Sequence, residues 1–123
     1  MEMRKSIQDT AKLLLINAKL YEEEKGREVS RHRISSHTLK RISKRQALRE
    51  GFLKSLTDEL AELGWIFIKL DDQFAIIDSN KIESWVKLSS KRLSENHYFD
   101  LPSDCLNEKF YEIFPVDLSD DLE

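Results

Sequence analysis

Apolar side chains recur three and four positions apart near the start of the chain, which is the spacing of one face of an α-helix. This pattern predicts a helix over residues 3–24, with Gly26 as the left-handed residue that ends it. Leu13, Ile16 and Leu20 form a second apolar stripe on nearly the opposite face. A surface helix needs only one such stripe, so we expect the second to be covered by the C-terminal segment or by a second chain in a dimer.

The next part of the chain predicts an extended segment and two more helices. Residues 27–35 contain isolated apolar positions, which is typical of a short strand or an extended arm. Ser35 or Ser36 is predicted to cap a short helix through about Ser43, because a serine oxygen can accept from the free amides of a first turn. Residues 46–63 are predicted to form a long helix. Its apolar face consists of Leu48, Phe52, Leu53, Leu56, Leu60 and Leu63.

Two glycines bear on this long helix. Gly51 costs about 1 kcal/mol relative to alanine in a helix interior, and it lies opposite the apolar stripe. That position indicates either that another group approaches the helix closely or that the cost is tolerated. Gly64 is predicted to end the helix in a left-handed conformation.

Two aromatic and β-branched runs, residues 65–70 and 73–78, flank a short acidic break, and this order predicts a β-hairpin. Asn80 and Glu83 then have the spacing of a capping box, with Asn80 at the cap position. The capping box predicts a short helix directly after the hairpin.

The C-terminal quarter is less regular. Residues 89–94 are predicted to be a loop or a frayed helix end, and residues 101–104 start an acidic amphipathic helical turn. The last residues, 117–123, are predicted to be disordered because four of the seven are acidic. The fold class is therefore predicted to be mainly α with a small β-hairpin (α+β). We expect one domain over residues 1–98 and an acidic C-terminal segment over residues 99–123.

Charge is strongly segregated along a chain whose net charge is only −3. Residues 25–54 carry ten basic and two acidic residues, a net charge of +8, whereas residues 99–123 carry one basic and eight acidic residues, a net charge of −7. Half of the 20 Lys and Arg residues thus lie in about a quarter of the chain. A concentrated basic block creates a local positive potential whatever the net charge, and its default partner is a polyanion.

The order of the predicted elements and the position of the basic block together resemble the winged helix-turn-helix superfamily of DNA-binding domains over residues 3–88, with additional N-terminal and C-terminal helices. The resemblance implies a supporting helix over residues 36–43, a recognition helix over residues 45–63 and a wing over residues 65–78. In this superfamily the first turns of the recognition helix lie in the major groove. The residues at those turns here are Lys44, Arg45, Gln46, Arg49 and Glu50.

Elementary electrostatics agrees with this placement. A helix N-terminus offers free amides and a partial positive charge to phosphate groups, and Arg or Gln side chains can pair with the edges of guanine or adenine. The second half of the same helix carries Asp58, Glu59 and Glu62, which a duplex would repel, so only its first half can approach DNA. The tip of the wing departs from the superfamily's pattern because it carries Asp71 and Asp72 instead of basic residues.

We therefore predict a small DNA-binding protein, a transcriptional regulator of a bacterial or mobile-element type, that binds double-stranded DNA. It is expected to act as a homodimer, because one such module reads few base pairs. Arg45 and Arg49 are expected to contribute most. The predicted nucleic-acid-binding residues are Arg31, Arg33, His37, Lys40, Arg41, Lys44, Arg45, Gln46, Arg49 and Lys54.

The alternative is a non-enzymatic adaptor that uses the same scaffold to bind a protein partner through the acidic C-terminal segment. Catalysis, a metal and a cofactor are not expected, because the Cys and His residues are not clustered and the three glycines are isolated. His32 and His37 are expected to be polar surface groups or phosphate donors. No apolar run approaches the ~20 residues that span a bilayer. Together with the single cysteine, Cys105, this absence predicts a cytoplasmic protein without a membrane partner.

Overall fold

The computed structural model describes residues 3–116, which divide into two compact units after Trp85. The predicted disordered tail, residues 117–123, lies outside the described residues. The boundary after residue 98, between the expected domain and the acidic C-terminal segment, stays a prediction. Helices and a three-stranded sheet confirm the α+β class.

Helix α1, Ile7–Lys25, begins where Ser6 caps it. The Ser6 hydroxyl accepts a hydrogen bond of 3.0 Å from the Asp9 amide, so the helix starts four residues later than predicted. Met3 consequently lies outside the helix and is exposed. Gly26 ends α1 with a φ of 67°, which confirms the predicted left-handed residue.

A strand and a short helix follow without a break. Residues Arg31–Ser35 form strand β1 rather than an unpaired arm, and Ser36–Ser43 form helix α2. The Ser35 hydroxyl accepts a hydrogen bond of 3.1 Å from the Thr38 amide, which confirms the predicted serine cap. Lys44 then ends α2 in a left-handed conformation, with a φ of 57°.

Helix α3, Glu50–Glu62, begins four residues later than predicted, because Lys44 breaks the helical path and Arg49 has an extended backbone. Residues 44–49 form a non-helical turn. The expectation that Lys44, Arg45 and Gln46 occupy the first turns of this helix is therefore wrong. The positive φ of Gly64 at the far end, 89°, agrees with its predicted role.

The predicted hairpin consists of strands β2, Trp65–Lys69, and β3, Gln73–Asp78. Strand β1 joins it, and the antiparallel sheet has the order β1-β3-β2. The predicted short strand thus completes a three-stranded sheet in place of a free hairpin.

One hydrophobic core lies between the sheet and helices α1, α2 and α3. Phe67 and Phe74 stack with their ring centroids 4.9 Å apart, and Leu48 packs against the core from the turn before α3. The fully buried large side chains are Leu14, Leu39, Leu56, Leu60, Phe74 and Ile76.

The predicted short helix after β3 is a 3-10 helix, Ser79–Ser84. Its cap is Asp78, whose carboxylate accepts a hydrogen bond of 3.0 Å from the Asn80 amide. The predicted capping box with Asn80 at the cap position is therefore wrong by two residues.

The second unit begins at Val86 and contains two α-helices separated by a 3-10 helix, Tyr98–Asp100. Helix α4, Lys91–Glu95, lies where a loop or frayed end was predicted, and helix α5, Ser103–Ile113, follows the predicted break. None of the described residues of this unit is buried.

Candidate nucleic-acid interface

A polar cavity of about 720 Å³ opens where the turn of residues 44–49 leads into α3; we call it the α3 cavity. Four basic side chains line it, and they come from two distant parts of the sequence. The lining residues are Arg4, Ile7, Lys44, Arg45, Gln46, Ala47, Arg49, Gly51, Phe52 and Ser55.

The N-terminal segment is fixed against the turn after α2 by two hydrogen bonds to one residue. The Lys5 amide donates to the Ser43 carbonyl over 2.9 Å, and the Lys5 carbonyl accepts from the Arg45 guanidinium over 3.1 Å. Both bonds involve backbone atoms of Lys5, so they hold the chain itself in place. This attachment brings the neighbouring residue, Arg4, to the α3 cavity.

The Arg45 side chain makes contacts within the fold. Its guanidinium carbon lies 4.1 Å from the centroid of the Phe52 ring, a cation–π contact, and its Nε is buried without a hydrogen-bond partner among the described residues. Burial lowers the pKa of this guanidinium, and the positive charge of Arg4 lowers it further. Arg45 is therefore placed to organise the α3 cavity, whereas the sequence predicts that Arg45 and Arg49 contribute most to DNA binding.

The N-terminus of α3 faces this cavity. Arg49 occupies the cap position, and no side chain caps the helix among the described residues. The first amides of a helix that lacks a capping side chain remain available, and they carry a partial positive charge. Glu50 is the one acidic residue of this turn, and its charge opposes the approach of an anion.

Gly51 leaves one wall of the α3 cavity open. Apart from its two chain neighbours and the backbone of α3 itself, a β-carbon built at Gly51 would meet no described atom within 4 Å. No group of the described chain therefore approaches Gly51 closely. The open space lies beside the first turn of α3, where an external ligand can approach the backbone.

The structure places the remaining predicted binding residues elsewhere. Arg31 and Arg33 line a cavity between β1 and α1, whereas His37 and Arg41 line a groove between α1 and α2. Lys40 and Lys54 are exposed, and neither belongs to the lining of the α3 cavity. Four of the predicted residues meet in that cavity: Lys44, Arg45, Gln46 and Arg49.

Arg4 is the basic residue that sequence reasoning missed. It lies outside the basic block of residues 25–54, and it reaches the α3 cavity through contacts with residues about forty positions away. Local periodicity and charge density carry no signal for such a contact.

The acidic tip of the hairpin is attached to the start of α2. The Ser36 amide and the Ser36 hydroxyl both donate to the Asp72 carbonyl, over 2.9 and 2.8 Å. Asp71 and Asp72 are exposed. The tip therefore presents negative charge at the surface and holds the hairpin against α2.

His32 differs from the expected surface histidine. Its ring lies edge-on to Trp65, with a centroid distance of 6.3 Å, and its Nδ1 is buried without a partner among the described residues. Burial lowers the pKa of His32 below its ordinary value of 6.5. The imidazole is consequently neutral at pH 7 and is not a cationic phosphate donor, whereas His37 is exposed.

The second apolar stripe of α1 is open to solvent for much of its length. Ile16 and Leu20 are 52% and 56% exposed, whereas Leu13 is partly buried.

Among residues 3–116, no group of three or more His, Cys, Asp or Glu side chains has a geometry that could hold a metal ion. Within the same range, no helix combines the length and apolar character needed to cross a bilayer.

Comparison with known proteins does not assign this chain to a family. Neither a family model, nor a curated protein, nor a solved structure matches it.

Proposed function

We propose that the chain binds double-stranded DNA through the α3 cavity and the first turn of α3. The observation that carries this proposal is the convergence of Arg4, Lys44 and Arg49 on the N-terminal end of a helix that has no side-chain cap. Basic side chains neutralise phosphate charge, and uncapped helical amides donate to phosphate oxygens. The two effects act together at this one end of α3.

The order of the elements supports a winged helix-turn-helix reading of the first unit. The chain runs α1, β1, α2, α3, β2, β3, and the sheet has the order β1-β3-β2. Under this proposal α2 is the supporting helix, α3 the recognition helix and the β2–β3 hairpin the wing.

The positions of the residues suggest different roles within the interface. Gln46 is exposed beside the start of α3, where a side chain of this type can pair with the edge of adenine. Arg4, Lys44 and Arg49 contact phosphates in this proposal, whereas Arg45 positions the N-terminal segment. Asp58 lies eight residues after Glu50, which is about 12 Å along the helix axis. In this proposal the acidic second half of α3 therefore stays clear of the duplex.

The hairpin contributes no phosphate contact in this proposal. Its tip carries exposed carboxylates and is hydrogen-bonded to Ser36, so it neither attracts DNA nor extends freely toward it. Binding therefore depends on the α3 end of the unit alone. A single module of this kind reads few base pairs, which is why we propose that two copies bind one site as a homodimer.

The biological role that fits these features is a small, non-enzymatic, cytoplasmic regulator of transcription that needs no cofactor. The second candidate function is an adaptor that binds a protein partner through the same scaffold. The observation that favours the adaptor is the exposure of apolar side chains on α1 and α5, such as Leu20 and Phe110.

A duplex titration separates the two functions. The full chain is added to fluorescently labelled duplex DNA of mixed sequence at ~50 mM salt, where non-specific contacts with phosphates are strongest. We expect saturable binding that the double variant Arg4→Ala/Arg49→Ala weakens at least tenfold. The control Lys12→Ala/Lys81→Ala removes the same charge away from the α3 cavity, and we expect it to bind nearly as the wild type does. Absence of binding by the folded wild type would overturn the DNA proposal and favour the adaptor.

A further inference from the structure

Helices α1 and α2 enclose an apolar groove on the side of α1 that faces away from the core; we call it the α1–α2 groove. Its volume is about 500 Å³, and its apolar lining comes from Leu13, Ile16 and Leu20 of α1 and from Ile42 of α2. The three α1 residues follow one another at intervals of three and four. They span about 10.5 Å along the helix axis, which matches two turns of a helix lying alongside α1.

The charged side chains at the rim of this groove are all basic. Lys5, His37, Arg41 and Lys44 line it together with the polar residues Asn17 and Thr38, and none of the described lining residues is Asp or Glu. An apolar floor with a cationic border selects a ligand that is apolar on one face and anionic beside it.

We propose that the α1–α2 groove binds an amphipathic helix of a partner protein whose apolar face is bordered by Asp and Glu residues. Apolar side chains of that helix at positions i, i+4 and i+7 lie against Ile16 and Leu20, and its carboxylates lie beside Arg41 and Lys5. We propose a helix as the partner segment because the apolar stripe of α1 is two helical turns long, and two helices can pack side by side along such a stripe.

The charge of the rim argues against a second copy of the same groove as the occupant. A symmetric dimer places identical patches against each other. Here that arrangement would bring Lys5 and Arg41 close to their own counterparts, and like charges in contact oppose association. An acidic helix removes this repulsion.

Helix α5 carries the required chemistry and supplies a probe for the test. Leu106, Phe110 and Ile113 are exposed at positions i, i+4 and i+7, and acidic residues flank them. A labelled synthetic peptide with the sequence of residues 101–116 is therefore titrated with the full chain, and binding is followed by fluorescence anisotropy.

We expect saturable binding that weakens as salt is added, because the rim contacts are ionic. The double variant Ile16→Asp/Leu20→Asp places two negative charges on the apolar stripe and should weaken peptide binding at least tenfold. The variant Val86→Asp/Leu88→Asp introduces the same two charges at exposed apolar residues outside the groove, and it should bind as the wild type does. A peptide in which Phe110 and Ile113 are replaced by Ser keeps the charge and should not bind.

A second variant guards against loss of structure. Ile16→Ala/Leu20→Ala keeps a helix-favouring side chain at both positions, and it should weaken peptide binding while its binding of duplex DNA stays unchanged. The groove proposal therefore stands or falls separately from the DNA proposal. It is overturned if the peptide does not bind, if the groove variants bind the peptide as the wild type does, or if the wild type self-associates groove to groove, with Ile16 and Leu20 of both copies in the contact.

Discussion

The guanidinium of Arg45 donates a hydrogen bond of 3.1 Å to the backbone carbonyl of Lys5, forty positions earlier in the chain. The same guanidinium packs over the Phe52 ring at the start of α3. One side chain thus joins the N-terminal segment, the turn after α2 and the first turn of α3. The basic lining of the α3 cavity depends on this connection, because it holds Arg4 beside Arg49.

Arg45→Ala is expected to lower the free energy of unfolding by about 2 kcal/mol, since it removes a charge-assisted hydrogen bond and a cation–π contact. Urea unfolding followed by circular dichroism measures this loss. Arg49→Ala serves as the matched control: its side chain is exposed and does not cap α3, so its unfolding free energy should stay within about 0.5 kcal/mol of the wild type. Equal stability of the two variants would contradict the structural role of Arg45.

Gly51→Ala should separate stability from binding. The added β-carbon meets no atom within 4 Å outside its chain neighbours and the backbone of α3, and alanine favours a helix over glycine by up to about 1 kcal/mol. The unfolding free energy should therefore rise. The same methyl group projects beside the first turn of α3, so the affinity for duplex DNA should fall. Thermal unfolding and a duplex titration of the same preparation test both effects. Unchanged affinity would mean that DNA does not approach this turn.

The pKa of His32 predicts a loss of stability between neutral and mildly acidic pH. Burial holds the pKa of the folded imidazole below 6.5, so the unfolded chain gains the proton first as the pH falls. The free energy of unfolding should therefore decrease below about pH 6.5, until the folded imidazole is protonated as well.

Urea unfolding at pH 7.5 and pH 5.5 measures this decrease. His32→Gln should reduce the difference between the two pH values, whereas His37→Gln, at an exposed position, should leave it unchanged. A wild-type protein that is equally stable at both pH values would contradict the buried environment of His32.

Glu22 predicts a second, more acidic transition. Its carboxylate accepts a hydrogen bond of 2.8 Å from the Val29 amide, and this bond lowers the pKa of Glu22 below its ordinary value of 4.5. Its contribution to stability is therefore present above about pH 4.5 and is lost as the pH falls through the lower folded pKa.

The variant Glu22→Gln tests this contribution. It should be less stable than the wild type at pH 6, and the difference should shrink between pH 5 and pH 3. Glu23→Gln is the matched control at the next position, where the carboxylate is exposed. A difference that is the same at all three pH values would contradict the assignment.

Local chemistry made several elements predictable. Ser35 and Gly26 mark the start of α2 and the end of α1 through hydrogen-bonding capacity and backbone freedom, which depend on single residues. The hairpin of β2 and β3 was predictable for a similar reason, because two β-branched and aromatic runs flank a short polar break. These signals require no knowledge of the remainder of the fold.

The errors came from residues whose role depends on distant partners. Leu48 continues the apolar period of α3 upstream, but it packs against the core from a non-helical turn, so the helix was predicted too long. The charge of Arg45 predicts a contact with DNA, but its guanidinium packs over Phe52 and donates a hydrogen bond to the Lys5 carbonyl. Arg4 joins the α3 cavity only through tertiary contacts.

The salt dependence of duplex binding tests the central claim most directly. Each phosphate contact contributes about 0.9 to the slope of log affinity against log salt concentration. Removing Arg4 and Arg49 together should therefore reduce the magnitude of the slope by about 1.8, whereas Lys12→Ala/Lys81→Ala should leave it unchanged. The same slope for the wild type and for Arg4→Ala/Arg49→Ala would contradict the claim that the α3 cavity contacts the DNA backbone.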